Sequence, residues 1–174
     1  LIGFGLVAIL AIESTAVRVA SNRWRACAMW AGATFANEYL TLSFKCYCGV
    51  LRPNFYATCG WSDKEQRCED GLNASGRVSF PSGHSSHSAC FAVLVALHLL
   101  RHYSLRVAAK PATAEDATAR AMRLAAPLPA LAAAFVAFSR VHDNAHHPAD
   151  VVAGAVLGAT IASISHQMAY PDSR

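Results

Sequence analysis

The sequence is poor in charged and in aromatic residues. Of its 174 residues only 15% are charged and 9% are aromatic, while 54% are hydrophobic. The mean hydropathy of +0.28 is too high for a typical soluble domain, and the apolar residues occur in long runs with the charges between them. Because a membrane-spanning helix needs about 20 mostly apolar residues, this distribution predicts a membrane protein.

Three further absences narrow the class of protein. The basic residues form no patch with interleaved aromatic residues, so the net charge of +4 is interpreted as charge flanking membrane helices and not as a nucleic-acid surface. No secretory signal with a basic region and a cleavage site is visible. The chain opens on Leu1 within an apolar run, and we expect it to be a fragment that lacks an earlier helix.

Five apolar segments predict an all-α, polytopic bundle of membrane helices, with five visible spans of an expected six. They cover residues 1–17, 26–44, 87–100, 124–138 and 151–170. Small residues in the last segment would allow close helix packing. The third and fourth segments are short for free-standing spans, so a soluble all-helical protein with buried helices is the alternative. We treat residues 1–174 as a single domain.

The connections between the segments differ in charge. Arg18, Arg23 and Arg25 lie between the first and second segments, without an acidic residue. The connection between the third and fourth segments also carries more basic than acidic residues. If the segments alternate across a bilayer, the positive charge predicts that both connections are cytoplasmic. Residues 45–86 and 139–150 then lie on the luminal or extracellular face.

Two weak signals agree with a non-cytoplasmic position for residues 45–86. Cys59 and Cys68 could form a disulfide in an oxidising compartment, although two cysteines can also stay reduced. Asn73 opens the triplet Asn-Ala-Ser, an acceptor pattern for N-glycosylation that can also arise by chance. Each signal gains weight from its agreement with the charge rule.

Three clusters of polar residues fall on that predicted face. The first is Lys45, six residues and Arg52-Pro53; the second is Pro81-Ser82-Gly83-His84; the third is Ser139-Arg140, five residues, His146, three residues and Asp150. The clusters are far apart in sequence, but alternating spans would bring all three to the same side of the membrane. We therefore expect them to meet in one site.

The residue types in these clusters suit a phosphate monoester. Lys45, Arg52 and Arg140 supply three positive charges for a group that carries about −1.5 to −2 at neutral pH. Arg binds phosphate oxygens in a bidentate fork, while Lys acts as a compact point charge. Ser82 and Gly83 stand where the third helix should start, and a helix N-terminus offers N–H groups and the positive end of a dipole.

Two imidazoles and a carboxylate could perform the chemistry. A neutral imidazole can attack phosphorus and form a phosphohistidine, while a protonated imidazole can be the acid for the leaving oxygen. Asp150 follows His146 by four residues, so on a helical turn it could hold the imidazole tautomer. Pro148 fits the first turn of a helix, where an anion is favoured.

The three clusters resemble the signature of the type 2 phosphatidic acid phosphatase superfamily, Lys-x6-Arg-Pro, Pro-Ser-Gly-His and Ser-Arg-x5-His-x3-Asp. All fixed positions and spacings occur in order, and the resemblance covers residues 26–170. The lipid phosphatase branch of this family consists of six-helix membrane proteins with an outward-facing site and no metal. The resemblance thus implies a membrane enzyme that needs no cofactor and hydrolyses phosphatidic acid, a related lipid phosphate or diacylglycerol pyrophosphate.

The resemblance also implies a role for each site residue. His146 would be the nucleophile, His84 the acid that protonates the leaving group, and Asp150 the partner of His146. The residues that would bind phosphate are Lys45, Arg52, Ser82, Gly83 and Arg140. Lipid phosphatases often read Gly-Arg-Leu-Arg-Pro-His-Phe where residues 49–55 here read Gly-Val-Leu-Arg-Pro-Asn-Phe, a difference that bears on headgroup preference.

Other interpretations of the titratable residues stay open. Glu13 is either a relay group within the membrane or an interfacial residue. The histidines outside the clusters are interpreted as loop, helix-face or interfacial residues; they are His87, His98, His102, His142, His147 and His166. A metal site built from His142, His146, His147 and Asp150 is the alternative, which the three nearby cations disfavour.

Two other functions are also possible for such a chain. A transferase would use the same site to pass a phospho-headgroup to another lipid, and product analysis with and without an acceptor would identify it. A catalytically silent protein would bind lipid phosphates without releasing phosphate. Every chemical position of the signature is occupied, which favours an enzyme.

Overall fold

The computed structural model describes residues 2–14, 23–69, 74–109 and 117–171. Within these ranges the chain is mostly helical, as the sequence predicts. The helices are α1 (Ile2–Ser14), α2 (Arg23–Cys48), α3 (Phe55–Thr58), α4 (Gly83–Ala108), α5 (Ala117–Ala125), α6 (Leu128–His142) and α7 (Pro148–Ala169). A two-stranded antiparallel sheet, β1 (Trp61–Ser62) and β2 (Arg67–Cys68), and a 3-10 helix (Ala74–Arg77) lie between α3 and α4.

Helix α4 lies at the centre of the bundle. It contacts α1, α2, α5, α6 and α7, and its apolar residues Leu94 and Val95 are buried in the core. Helix α2 contributes Trp30, whose ring meets that of Phe91 edge to face with centroids 5.9 Å apart. Because α4 contacts all the longer helices, residues in its first turn can contact the loops that join those helices.

Two glycines bring α7 against the backbone of α4. A Cβ atom at Gly154 would clash with the carbonyl oxygen of Ser82, and one at Gly158 would clash with that of Ser86. The small residues of the last apolar segment therefore permit close packing of the two helices, as predicted. The contact at Ser82 also fixes the start of α7 beside the start of α4.

The predicted segment 124–138 is interrupted in the structure. Helix α5 ends at Ala125 and α6 begins at Leu128, with Pro127 at its N-cap and Pro129 in its first turn. Proline lacks a backbone N–H and is tolerated in a first turn but not in a helix interior. The two prolines therefore account for the break.

The connection between α3 and α4 contains a hairpin that the sequence did not predict. Cys59 and Cys68 form a disulfide across it, with Cα atoms 5.2 Å apart. The strands have only two residues each, too few for a strand pattern to be visible in the sequence. Asn73, the predicted glycosylation site, lies outside the described residues.

Among the described helices, three stretches are long and apolar enough to cross a membrane. They are Gly83–Ala108, Ala117–His142 and Pro148–Ala169. The described part of α1 has 13 residues, fewer than the about 20 that a span requires. The five membrane-spanning helices expected from the sequence are thus supported for three, and the positions of α1 and α2 relative to a membrane stay predictions.

Large apolar side chains cover the outside of the bundle. Leu131 and Phe135 of α6 are 68% and 71% exposed, and Phe35 of α2 is 74% exposed. Helix α6 has no buried residue among those described. Exposed apolar surface of this extent is unusual for a monomeric soluble protein and is typical of a face that lipid or another protein covers.

Candidate active site

The end of α2 meets the start of α4. Lys45 lies in the last turn of α2, and its ammonium donates a hydrogen bond to the carbonyl oxygen of Val78 at 2.7 Å. A Cβ atom at Gly83 would lie 3.6 Å from Cε of Lys45, so the lysine side chain passes directly beside the first residue of α4. The first and second sequence clusters are therefore in contact.

Arg52 follows α2 on a loop that is hydrogen-bonded to the 3-10 helix. Its backbone N–H donates to the carbonyl oxygen of Gly76 at 2.8 Å, and its Nε donates to that of Ser75 at 3.0 Å. These two bonds hold the guanidinium on the loop that leads into α4. The second positive charge of the first cluster is thus positioned by backbone contacts.

The first turn of α4 is capped by Ser82. Its hydroxyl accepts hydrogen bonds from the backbone N–H and the hydroxyl of Ser85, at 3.4 Å and 3.1 Å. The backbone N–H of Ser82 donates to the carbonyl oxygen of Asp150 at 2.9 Å. Because Asp150 lies in the first turn of α7, this bond joins the second cluster to the third.

Arg140 lies at the end of α6 and brings the third cluster to the same place. Its guanidinium donates to Oγ of Ser139 at 3.1 Å and to Oδ2 of Asp143 at 3.0 Å, while its carbonyl oxygen accepts the N–H of His146 at 3.2 Å. The side chain of His84 is exposed, and the positive charges of Arg140, Arg52 and Lys45 all reach it. Charged residues of the first and third clusters are therefore close enough to His84 to act on it electrostatically.

His146 is buried beside Ser79 and Asp150. Its Nδ1 lies 3.3 Å from Oγ of Ser79 and 3.8 Å from Oδ2 of Asp150. The Ser79 hydroxyl donates to the same carboxylate oxygen at 2.5 Å. Since the single hydroxyl hydrogen of Ser79 is used for Asp150, Nδ1 of His146 must be the donor to Ser79. This tautomer leaves the lone pair on Nε2.

The environment of His146 favours its neutral form. Burial, followed by the positive charges of Arg52 and Lys45, lowers the pKa of His146 to about 4. A backbone hydrogen bond with Ser79 and the charge of Asp150 act in the opposite direction but do not restore the ordinary value. At neutral pH the imidazole is therefore unprotonated and can act as a nucleophile or a base.

The sequence matches the PAP2 superfamily over residues 24–174. The chain belongs to the PAP2 superfamily. Its mostly helical structure with three apolar helices agrees with the membrane helical bundle of PAP2 proteins. No solved structure matches the chain at a significant level.

Several relatives of this PAP2 chain are named as lipid phosphatases. Lipid phosphate phosphatase 1 of Arabidopsis thaliana is 37% identical over 151 residues, which cover 80% of this chain and 43% of that protein. Phospholipid phosphatase 1 of Rattus norvegicus is 35% identical over 141 residues, 73% of this chain and 46% of that protein. Phospholipid phosphatase 2 of Bos taurus is 31% identical over 140 residues, 74% and 45% respectively. The chain thus spans less than half the length of these relatives.

Two residues of this PAP2 site were not predicted from the sequence. Ser79 bridges His146 and Asp150, yet it stands two residues before Pro81 and outside all three clusters. His147, interpreted from the sequence as an ordinary loop residue, donates to Oδ2 of Asp150 from its backbone N–H at 2.9 Å and from Nδ1 at 3.1 Å. It caps α7, and a helix that begins at Pro148 is the signal that could have identified it.

The metal site considered from the sequence does not form among the described residues. His142, one of its four candidate ligands, has a side chain that is 73% exposed and lies 3.5 Å from Asp143. The other three candidate ligands of that site form hydrogen bonds with one another or with Ser79; they are His146, His147 and Asp150. Among the described residues, the group whose ligand atoms come close enough for a metal ion is a different one, Glu13, His98 and His102.

Proposed function

We propose that this chain is the catalytic part of an integral membrane phosphatase that hydrolyses lipid phosphate esters. The observation that carries the proposal is that the three clusters meet at the start of α4. Lys45 passes beside Gly83, and Ser82 is bonded to Asp150. Asp150 in turn lies next to the buried, neutral imidazole of His146. The names of the relatives agree with this activity. Phosphatidic acid is the first substrate to test, followed by lysophosphatidate, sphingoid-base phosphates and diacylglycerol pyrophosphate.

Phosphate would be bound by side chains and by the start of α4. Lys45, Arg52 and Arg140 offset its charge, and Arg can bind two of its oxygens at once. Ser82 accepts two hydrogen bonds, so its own O–H is available to an anion. The N–H groups of Gly83 and His84 belong to the first turn of α4, where N–H groups lack intrahelical acceptors.

Hydrolysis would proceed in two steps. His146 attacks phosphorus through Nε2, and the bond to the lipid oxygen breaks as the N–P bond forms, while protonated His84 gives its proton to the departing alcohol. A water molecule then loses a proton to the neutral His84 and attacks the phosphohistidine. The products are the lipid alcohol and inorganic phosphate, and His146 is restored. No metal ion takes part in these steps.

The active site would face the lumen or the extracellular space. Arg23 and Arg25 begin α2, and Arg101 and Arg106 stand near the end of α4, so basic residues gather at the helix ends opposite Lys45 and Gly83. The excess of positive charge at that end favours a cytoplasmic position for it. An amphiphilic substrate could then reach the site from the outer leaflet without leaving the membrane.

The experiment that tests the function is phosphate release from a panel of lipid phosphates in the presence of EDTA. We expect release by the full chain and none by His146→Ala, since this variant lacks the attacking nitrogen. Lipid binding without phosphate release would contradict the proposal and favour a silent binding protein. Transfer of the phospho-headgroup to an added acceptor lipid would favour a transferase.

A comparison of His146→Ala with His147→Ala tests the assignment of the nucleophile. His147→Ala removes one side-chain hydrogen bond to Asp150 but keeps the bond from its backbone N–H, so we expect it to retain much of the turnover. Equal losses in the two variants would show that the assignment of His146 is wrong. Phosphohistidine trapped in the wild type by acid quench, and absent from His146→Ala, would support it independently.

A further inference from the structure

A buried group of titratable residues lies at the other end of the bundle. Glu13, in the last turn of α1, is 1% exposed, and His98 and His102 of α4 are 0% and 1% exposed. His98 is 14 residues after His84 in the same helix, which places the group about 21 Å along α4 from the proposed active site at 1.5 Å per residue. The proposed phosphatase chemistry makes no use of these residues.

Both histidines direct the same atom at the same carboxylate oxygen. Nε2 of His98 lies 3.1 Å from Oε1 of Glu13, and Nε2 of His102 lies 3.3 Å from it. The pair of His98 and Glu13 lacks the geometry of a hydrogen bond, and within the described residues neither ring nitrogen of His98 has a hydrogen-bond partner. Since leaving buried polar nitrogens without partners is costly, the arrangement indicates that these side chains bind a ligand.

The two distances to Oε1 of Glu13, 3.1 Å and 3.3 Å, match those between ligand atoms of a metal site. Zn–N and Zn–O bonds of about 2.0–2.1 Å in a tetrahedral site place neighbouring ligand atoms about 3.3 Å apart. The three ligand atoms here all lie within 4.8 Å of one another. His98 and His102 also have the i, i+4 spacing that brings two imidazoles to one face of a helix.

We propose that Glu13, His98 and His102 form a binding site for a divalent transition-metal ion of the Zn²⁺ type, which fastens α1 to α4. Imidazole nitrogen and carboxylate oxygen are ligands that Zn²⁺ accepts. His166 of α7, which is 4% exposed, borders the site with its ring centroid 6.3 Å from that of His98. Its Nε2 has no hydrogen-bond partner within the described residues, but it lies outside the group of close ligand atoms. Water would therefore complete a four-coordinate site.

The charges around the site are compatible with a bound cation. Two positive charges act on the site: Arg101 on all three histidines, and Arg106 on His102. The guanidinium of Arg101 is stacked 4.0 Å from the centroid of the Tyr170 ring. Glu13 supplies a negative charge inside the site. A bound ion would join α1 to α4 by metal–ligand bonds, which are much stronger than apolar contacts. Metal binding would therefore stabilise the fold.

The test uses the full chain in detergent with Cys46→Ser and Cys48→Ser, so that this exposed thiol pair does not bind the probe. After removal of metal by a chelator, Co²⁺ is titrated and its visible absorption is followed. We expect one ion per chain with the bands of a four-coordinate site. Glu13→Gln and His102→Ala should each weaken binding by at least about tenfold, the lower bound for loss of even an outer-shell partner. The exposed His142→Ala is the matched control and should bind as the parent does.

Thermal unfolding supplies a second measurement. Zn²⁺ should raise the unfolding midpoint of the parent and of His142→Ala in proportion to occupancy, and should leave that of Glu13→Gln unchanged. A parent protein that binds no stoichiometric Co²⁺, or variants that bind it equally well, would overturn the proposal. Phosphate release in EDTA is expected to persist in the stripped protein, so failure of this site is distinguishable from failure of the proposed phosphatase.

Discussion

Ser79 holds the two side chains on which the proposed chemistry depends. Its hydroxyl donates to Asp150 and accepts from Nδ1 of His146, while its backbone N–H donates to the carbonyl oxygen of Val50 at 2.9 Å. Asp150 therefore acts on His146 partly through Ser79, because their direct separation is 3.8 Å. Ser79 is a positioning residue and does not itself contact the reacting atoms in this mechanism.

Ser79→Ala should slow turnover without abolishing it. Loss of the hydroxyl frees the tautomer and the orientation of His146, and we expect kcat to fall by about 10²-fold, the scale of a small misplacement of a reacting group. KM should change little, since phosphate binds elsewhere. Ser104→Ala is the control, because its exposed hydroxyl donates a hydrogen bond to the carbonyl oxygen of Leu100 in its own helix. An unchanged kcat in Ser79→Ala, or an equal fall in kcat in Ser104→Ala, would contradict this role.

The lowered pKa of His146 predicts a specific pH dependence. The unfolded chain takes up a proton at this histidine near its ordinary pKa of about 6.5, whereas the folded protein does so only near about 4. The contribution of this group to stability is therefore complete above pH about 6.5 and declines as the pH falls towards 4. NMR titration of the imidazole, assigned by comparison with His146→Ala, should give a midpoint near the lower value. A midpoint near 6.5 would contradict the burial of this group.

At the scale of the elements, the contact between α4 and α7 builds the site. Gly154 allows the second turn of α7 to lie against Ser82, and Gly158 allows the next turn to lie against Ser86. Ser86 in turn donates to Asn37 of α2 at 2.5 Å. Through these contacts the starts of α4 and α7 and the last turns of α2 reach one place, which the clusters then occupy.

Gly158→Ala should destabilise the protein. An added methyl group would overlap the backbone of α4 at Ser86, and such overpacking costs about 1–3 kcal/mol. Gly32→Ala in α2 is the matched control, since nothing lies within 4 Å of a Cβ atom there, and alanine favours a helix over glycine by up to about 1 kcal/mol. Thermal unfolding in detergent should show a lower midpoint for the first variant and an equal or higher one for the second. Equal midpoints would show that α4 and α7 are farther apart.

At the scale of the whole molecule, apolar surface and charge are arranged as a bilayer would require. Exposed apolar side chains lie on α2, α6 and α7, while the proposed site and the basic helix ends lie at opposite ends of the bundle. The buried group of Glu13, His98 and His102 lies towards the basic end. Substrate and the proposed metal ion would therefore bind at different ends of the protein.

Cysteine labelling in intact cells tests the predicted orientation. Cys46 and Cys48 are exposed beside Lys45, and we expect a membrane-impermeant maleimide to label them without permeabilisation. In a chain with Cys46→Ser and Cys48→Ser, a cysteine introduced by Val107→Cys near the end of α4 should react only after permeabilisation. Labelling of Val107→Cys in sealed cells, with protection of Cys46 and Cys48, would reverse the orientation.

The sequence by itself determined the family and the site clusters. The spacing of Lys45 to Arg52, of Pro81 to His84 and of Ser139 to Asp150 is a local property of the chain, and so is the length of an apolar run. The approximate helix positions followed from the same runs. The sequence showed Pro127 and Pro129 as a pair of prolines within an apolar run. Whether such a pair ends a helix depends on which helical positions the prolines occupy.

Only the tertiary structure decided which side chains meet across helices. Ser79 joins His146 and Asp150 over more than sixty positions of chain, about 67 and 71 residues, and no local pattern encodes such a contact. From the sequence, Glu13 was either a relay group or an interfacial residue, and His98 and His102 were separate helix-face or interfacial residues. The packing of α1 on α4 buries them together, because burial is a property of the helix pair and not of either segment alone.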